Sequence, residues 1–187
     1  MDAAPVRRLA GFRGVGYDKG RSRVVQVAWF ACLNLVFCTW WCPPRVRVAL
    51  LRWFGADIGR GVLIRHRVRV HWPWKLSIGD HSWVGEGAWI LNLEPVHIGS
   101  DTVISQEAML CTGSHDRHSA TFEFDNAPIS IGDGAWVATR AVILRGVVIG
   151  DRATIGAGAV VSTSVAPGHI VTANGSCRMD TGRGHAP

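Results

Sequence analysis

Residues 131–166 read IGDGAW VATRAV ILRGVV IGDRAT IGAGAV VSTSVA, six hexads without a break. Each hexad opens on an aliphatic residue, and a small residue often follows it. The same period runs upstream, with its aliphatic positions at Ile58, Ile64, Val70, Ile78, Val84, Ile90, Ile98, Ile104 and Leu110. Self-similarity at a fixed period is typical of a solenoid, in which each repeat packs on its neighbours. The sequence therefore predicts an all-β solenoid.

The hexad predicts one short strand and one corner per repeat, so that three repeats make one coil. The aliphatic residue points inward, and glycine suits the corner, where a Cβ is unwelcome. The residue four places after the aliphatic one is small because it faces a crowded interior: Ser82, Ala88, Thr102, Ala108, Ala135, Ala141, Ala153 and Ala159. We expect about five coils within residues 55–170.

Breaks in the period mark the functional part of the solenoid. The first three coils start twenty residues apart, at Ile58, Ile78 and Ile98, so each early coil has two extra residues. We place these extra residues at 76–77 and 96–97. A longer break at 116–130 predicts an excursion loop. A regular scaffold with one such loop is typical of a protein that carries its function there.

The N-terminal segment has a different character. Residues 24–42 form an apolar run interrupted by only three polar residues, Gln26, Asn34 and Thr39. Its length approaches the roughly 20 residues of a membrane-spanning helix, but arginines on both flanks give it no orientation. Three interpretations stay open: a helix packed on the domain or in an oligomer interface, an interfacial membrane helix, and a membrane span. A second amphipathic segment at 46–54 leaves Arg47 and Arg52 free to face water or phosphate.

This pattern divides the chain into four parts. We expect a flexible leader at 1–23, a helical segment at 24–54, the β-helix at 55–170 and a C-terminal tail at 171–187. Charge follows the same division. Residues 1–54 carry eight Arg and one Lys against Asp2 and Asp18, a net charge of +7, whereas residues 55–187 carry a net charge of −1. These basic residues flank an apolar run and form no readout module, which argues against nucleic acid. They favour peripheral contact of residues 21–54 with an anionic membrane surface.

Cysteine usage bears on the compartment. The five cysteines are odd in number and lack metal-ligand spacing, and no cleavable signal peptide opens the chain. A disulfide scaffold is not expected, and the default location is cytoplasmic, at most peripheral at the inner face of the membrane.

His115 is the candidate catalytic residue. The hexad that begins at Leu110 ends on His115, with Asp116 next, at the mouth of the excursion loop. An imidazole fixed by a rigid coil can act as a general base near neutral pH. Asp116 either orients this imidazole or simply starts the loop.

Four segments carry a family resemblance: WPWKL at 72–76, CTGSHD at 111–116, PISIGDGAWV at 128–137 and IGAGAVV at 155–161. They resemble the hexapeptide-repeat acyltransferases and, among them, the colanic acid biosynthesis acetyltransferases, relatives of the galactoside, maltose and nodulation O-acetyltransferases. The likeness covers roughly residues 24–175. It implies a left-handed parallel β-helix that transfers acetyl from acetyl-CoA to a sugar hydroxyl in exopolysaccharide or glycolipid biosynthesis. It implies no metal.

The resemblance also implies roles for particular residues. His115 would be the general base, Asn92 and Asp116 would contact the acceptor, and a backbone N–H would meet the oxyanion. CoA would lie between the prisms of a homotrimer, against Trp136, Ala138, Thr139 and Ala157. The chain departs from its relatives at position 138, where they usually have Gly, and in the tail, where Asn174-Gly175 replaces Asn-Pro.

Two other functions remain open at this point. A zinc enzyme of the carbonic anhydrase solenoid type would draw three converging ligands from the histidines at 66, 71, 81, 97, 115 and 118. A non-catalytic, membrane-tethered trimeric scaffold would need none of these residues. For the enzyme, the acceptor is a sugar or a lipid-linked sugar, and the tryptophans at 72, 74, 83 and 89 are candidate surfaces for its ring.

Overall fold

In the computed structural model, which describes residues 6–179, the hexads fold into a three-sided prism of parallel strands. Face A holds β1 (Asp57–Ile58), β4 (Leu76–Ile78), β7 (Val96–Ile98), β10 (Ile129–Ile131) and β13 (Val148–Ile149). Face B holds β2 (Leu63–Ile64), β5 (Trp83–Val84), β8 (Val103–Ile104), β11 (Trp136–Val137), β14 (Thr154–Ile155) and β16 (His169–Val171). Face C holds β3 (Arg69–Val70), β6 (Trp89–Leu91), β9 (Met109–Cys111), β12 (Val142–Leu144) and β15 (Val160–Val161).

The core is the set of inward side chains that the hexads predict. All the aliphatic residues at the first hexad position are at most 5% exposed. They stack in register from coil to coil, as Ile104 does between Val84 and Val137. Behind them Ser82 and Thr102 are fully buried, and their hydroxyls donate to carbonyl oxygens of the next coil. The predicted solenoid is confirmed.

The C-terminal end extends the prism beyond five coils. Val165 pairs with Ile149, and β16 continues face B, so an incomplete sixth coil follows the five complete ones. A last strand, β17 (Cys177–Met179), turns back antiparallel to β16. It covers an otherwise open sheet edge, which is where solenoids need a cap. Residues 180–187 of the expected tail lie outside the described residues.

All insertions leave the prism at one corner, between faces C and A, which we call the insertion corner. It comprises residues 71–75, 92–95 and 112–128. The extra residues expected at 76–77 and 96–97 belong instead to strands, because Leu76 and Val96 are buried against the core. The excursion loop is also shifted from the expected 116–130, since β10 begins at Ile129.

Two helices close the N-terminal end of the prism, and we call them the cap. Helix α1 (Arg23–Cys32) continues into a π-helical turn, Leu33–Phe37, and α2 spans Pro44–Trp53. The side chains of Trp29, Leu33 and Phe37 are buried against the first coil. Pro44 begins α2, a position where its missing N–H costs nothing.

Side chains of the cap also donate hydrogen bonds to carbonyl groups of the first coil, which has no preceding coil to pair with. The Trp29 indole donates to the carbonyl of Val70 (3.0 Å), and the Arg52 guanidinium donates to that of Ile58 (3.0 and 2.8 Å). Arg47 is only 2% exposed and donates to the carbonyls of Phe37 and Thr39. The expectation that Arg47 faces water or phosphate is therefore wrong, because orphan carbonyls at a helix end and a sheet edge need donors. Arg52 is exposed, as expected, but its guanidinium is also bound to backbone carbonyls.

The outer face of the cap remains apolar. Val24 is 79% exposed, Leu35 71%, Trp40 82% and Trp53 79%. The helical segment thus packs on the domain with one face only. Among residues 6–179, no helix is both long enough and apolar enough to cross a membrane.

Residues 6–22 differ from the expected flexible leader. They run along the excursion loop, with the Arg8 N–H donating to the Ala120 carbonyl at 2.8 Å. The segment is ordered because polar groups of the loop hydrogen-bond to its backbone, and the sequence alone could not indicate this pairing. Residues 1–5 lie outside the described residues.

Candidate active site

The backbone around His115 forms a small hairpin within the excursion loop. His115 pairs antiparallel with Phe124. The Asp116 N–H donates to the Glu123 carbonyl (2.8 Å), and the Asp125 N–H donates to that of Ser114 (2.9 Å). His115 is therefore positioned by the excursion loop. The sequence had suggested that a rigid coil alone would fix this residue.

The imidazole is oriented by one hydrogen bond. Nδ1 of His115 lies 2.7 Å from the carbonyl oxygen of Phe122. A carbonyl can only accept, so Nδ1 carries the proton and Nε2 presents its lone pair. Nε2 has no hydrogen-bond partner within residues 6–179. The rings of Phe122 and Phe124 lie nearly parallel to the imidazole at 4.4 and 5.1 Å. This arrangement suits a general base.

The hairpin is also anchored to the coils. Asp125 forms an ion pair with Arg145, which lies on the next coil. The Asn126 carboxamide oxygen accepts the Ser114 N–H at 3.0 Å, next to His115. Its amide nitrogen is buried and has no partner among the described residues. Sequence reasoning missed Asp125, Asn126 and Arg145, because nothing in the hexad pattern relates the loop to the coil beneath it.

Asp116 and Asn92 serve the backbone. The Asp116 carboxylate accepts the N–H of His118 (2.8 Å), so it stabilises a turn, and the carbonyl of Phe122 orients the imidazole. Asn92 is fully buried. Its oxygen accepts the N–H groups of His71 and Trp72 (3.1 and 3.0 Å), and its amide donates to the Trp72 carbonyl. Asn92 thus holds the turn one coil above and offers no surface to an acceptor, which corrects the expected contact.

The four residues assigned to CoA lie together, but away from His115. Trp136 is half-exposed on face B, and its indole donates to the Ser105 hydroxyl. Ala138, Thr139 and Ala157 occupy stacked turns at the corner between faces B and C, where the Gly158 N–H donates to the Thr139 carbonyl. His115 lies at the insertion corner, across face C. One protomer therefore does not bring the two sets of residues together.

One groove lies apart from both sets of residues. It has a volume of about 970 Å³ and lies on face C beside the cap, lined by residues such as Arg69, Trp89, Glu107 and Met109. His115 does not line it. The four residues assigned to CoA do not line it either.

The remaining histidines are dispersed. His66 pairs with Glu86 at 3.1 Å, and His97 hydrogen-bonds to Ser77. His71 packs between Phe30 and Trp72; burial, with Lys19 and Lys75 nearby, lowers its pKa to about 4. Within residues 6–179 no three His, Cys, Asp or Glu side chains converge as a metal site would require.

Comparison with known proteins agrees with this architecture. The family described as bacterial transferase hexapeptide (six repeats) matches residues 128–163. A solved acetyltransferase of Vibrio cholerae, VCA0836 in complex with acetyl-CoA, superimposes with a TM-score of 0.75 over 88% of this chain and 91% of its own, at 24% identity. A galactoside acetyltransferase in complex with CoA superimposes equally well over 84% and 80%, at 22% identity. The fold is thus the left-handed parallel β-helix of the hexapeptide-repeat acetyltransferases.

Sequence similarity indicates to which family of hexapeptide-repeat acetyltransferases the chain belongs. The chain is 42% identical, over 164 residues, to the Escherichia coli protein named as the colanic acid biosynthesis acetyltransferase WcaF. The match covers 86% of this chain and 85% of WcaF. The chain belongs to this family of acetyltransferases, and the resemblance seen in the sequence is confirmed.

Proposed function

We propose that the protein transfers the acetyl group of acetyl-CoA to a sugar hydroxyl, with His115 as general base. The hydroxyl oxygen attacks the thioester carbonyl while Nε2 of His115 takes the hydroxyl proton. The C–O bond forms, the C–S bond breaks, and the proton passes from His115 to the CoA thiolate that leaves. A backbone N–H stabilises the oxyanion of the tetrahedral intermediate. No covalent enzyme intermediate is needed.

The observation that carries this proposal is the hydrogen bond from Nδ1 of His115 to the Phe122 carbonyl, which leaves Nε2 as a free acceptor. Acetyl-CoA as the acetyl donor is supported by two structural neighbours that contain acetyl-CoA or CoA. The acceptor class is supported by the names of relatives, which refer to colanic acid and galactosides. These names favour a place in exopolysaccharide or glycolipid biosynthesis.

The test compares two histidine variants. His115→Ala should lower kcat by about 10² to 10⁴-fold, the range for loss of a general base. His118→Ala is the matched control, since its side chain is exposed and, within residues 6–179, hydrogen-bonds only to Arg117. The assay follows CoA release with free galactosides, nucleotide sugars and lipid-linked sugars as acceptors. If the two variants lose activity equally, His115 is not the base.

We further propose that a homotrimer completes the site. The separation of His115 from Trp136, Ala138, Thr139 and Ala157 within one protomer supports a site shared between copies. Mixing two inactive variants tests this arrangement: His115→Ala keeps an intact CoA corner, and Ala138→Trp keeps an intact base. Refolded together, they should recover activity, because some sites then combine two intact parts. No recovery in mixed trimers would place both parts in one copy.

We also propose that the cap, residues 21–54, rests on an anionic membrane surface, where a lipid-linked sugar would be presented. The exposed Val24, Trp40 and Trp53 support this proposal. Arg21 and Arg23 beside them are exposed and form no ion pair within the described part of the chain. Each basic side chain near such a surface contributes about 1 kcal/mol to binding.

A further inference from the structure

The N-terminal residues 7–20, which we call the strap, are fastened across the excursion loop. Both oxygens of the Glu123 carboxylate accept backbone N–H groups of the strap, those of Arg13 (3.0 Å) and Val15 (2.9 Å). These bonds lower the pKa of Glu123, so the carboxylate is charged at neutral pH. Apart from a single 3-10 turn, the strap has no secondary structure of its own. Its course is therefore set by the loop.

The end of the strap is fastened to the insertion corner. The Trp74 indole donates to the Lys19 carbonyl (2.7 Å), and the Lys75 ammonium donates to that of Asp18 (2.5 Å). The Tyr17 hydroxyl accepts a hydrogen bond from the Trp72 indole. The strap thus spans from the loop that carries His115 to the turn at residues 71–75 of the insertion corner.

One aromatic side chain of the strap contacts the imidazole of His115, and a second packs against the neighbouring ring of Phe124. Phe12 lies edge-on to His115, with ring centroids 5.9 Å apart, and packs against Phe124 at 5.3 Å. Tyr17 also packs against Phe124, with ring centroids 4.9 Å apart. No group of the strap hydrogen-bonds to Nε2 of His115, so the strap lies beside the base and leaves its lone pair available.

The strap is held mainly by exposed hydrogen bonds, which makes it a part that can open. Leu9 and Val15 are each 62% exposed, so these two apolar side chains bury little surface. Segments with little buried surface and exposed hydrogen bonds open at low free energy. An acceptor that packs against the strap would stabilise its closed position.

We propose that the strap is the outer wall of the acceptor site, and that Phe12 and Tyr17 are specificity-determining residues that contact the acceptor beside His115. This inference rests on the proposed function of His115. The strap borders the base and the insertion corner, whereas the residues assigned to CoA lie at another corner, so the strap concerns the acceptor. Aromatic rings suit this ligand, because a sugar ring offers C–H faces for packing and hydroxyls that remain solvated.

Three variants test the proposal. Glu123→Ala removes both bonds to the strap and leaves the backbone bond between residues 116 and 123 intact. Phe12→Ala removes the contact with the acceptor but keeps the clamp. Leu9→Ala, which is 62% exposed in the native strap, is the matched control. Steady-state kinetics are measured with the best acceptor of the panel above and, separately, with acetyl-CoA.

Glu123→Ala and Phe12→Ala should each raise the KM for the acceptor about 10-fold and change the KM for acetyl-CoA less than 2-fold. Leu9→Ala should have the same KM values as the wild type. An unchanged acceptor KM in Phe12→Ala overturns the proposal. A higher kcat in both variants also overturns it, because the strap would then obstruct the base. If Glu123→Ala raises both KM values, it has disturbed the hairpin, and Phe12→Ala decides.

A second measurement does not depend on activity. Trypsin should cut after Arg13 faster in Glu123→Ala than in the wild type, and the acceptor should slow cleavage of the wild type only. Equal cleavage rates in the two proteins would show that Glu123 does not fasten the strap. Loss of transfer in His115→Ala is measured separately, so the strap inference and the proposed function can fail independently.

Discussion

Arg47 offers a quantitative test of how the cap holds the N-terminal end of the prism. Its guanidinium donates to the carbonyls of Phe37 (2.9 Å), Thr39 (2.6 Å) and Ile64 (3.4 Å), and no acidic side chain within residues 6–179 pairs with it. Hydrogen bonds to a charged group contribute about 1.5–3 kcal/mol each, so the two short ones contribute ~3–6 kcal/mol. Arg47→Met also relieves the desolvation of a buried cation, which offsets part of that loss.

We therefore expect Arg47→Met to lower the free energy of unfolding by about 3 kcal/mol, the lower end of that range. For a chain of this length this loss corresponds to a Tm lower by ~6–12 °C. Arg47→Lys should fall in between, because one ammonium cannot reach all three carbonyls. The assay is thermal unfolding followed by circular dichroism at fixed protein concentration. Arg45→Met is the control, since Arg45 is exposed and unpaired within the described chain. If Arg47→Met and Arg45→Met have the same Tm, the cap is not held by these hydrogen bonds.

The remaining predictions address assembly, membrane contact, pH and packing. Light scattering should give about three times the chain mass of 20.3 kDa, and a fully active monomer would contradict the shared site. Anionic vesicles should sediment the protein at low salt but not at high salt, and replacing Trp40 and Trp53 by Ser should weaken this binding; equal binding to neutral vesicles would exclude a charge-driven contact. The pKa of His71, about 4 in the folded state, lies below its unfolded value of about 6.5. The unfolded chain therefore binds the proton first, and stability should fall as pH drops from about 6.5 to 4, by at most ~1.4 kcal/mol per pH unit and less for a partly exposed ring; denaturant titration of His71→Gln should show a flatter pH dependence. Gly79→Ala would place a Cβ 2.5 Å from the Ser100 backbone nitrogen, whereas Gly158→Ala meets no atom within 4 Å and only strains φ; the first should lower Tm clearly more than the second.

The candidate site was only partly readable from the sequence. His115 could be singled out because it ends a hexad at the loop, and its chemistry follows from its residue type. Asn92 was assigned to the acceptor through the family resemblance, but its carboxamide is used by the backbone of the preceding coil. The Phe122 carbonyl that orients the imidazole could not be predicted, since it depends on how the loop folds back. Backbone groups carry no sequence signature.

The hexad period by itself determined the prism, its inward rows of aliphatic and small residues, and the break that carries the loop. It could do so because each repeat packs only on its neighbours, so local spacing dictates the whole architecture. The tertiary structure decided the contacts between segments far apart in the chain. It buried Arg47 under the cap, placed His115 and the residues assigned to CoA at different corners, and laid the strap against a loop about 110 residues away. Such pairings depend on shape and on unsatisfied polar groups, which no periodicity encodes.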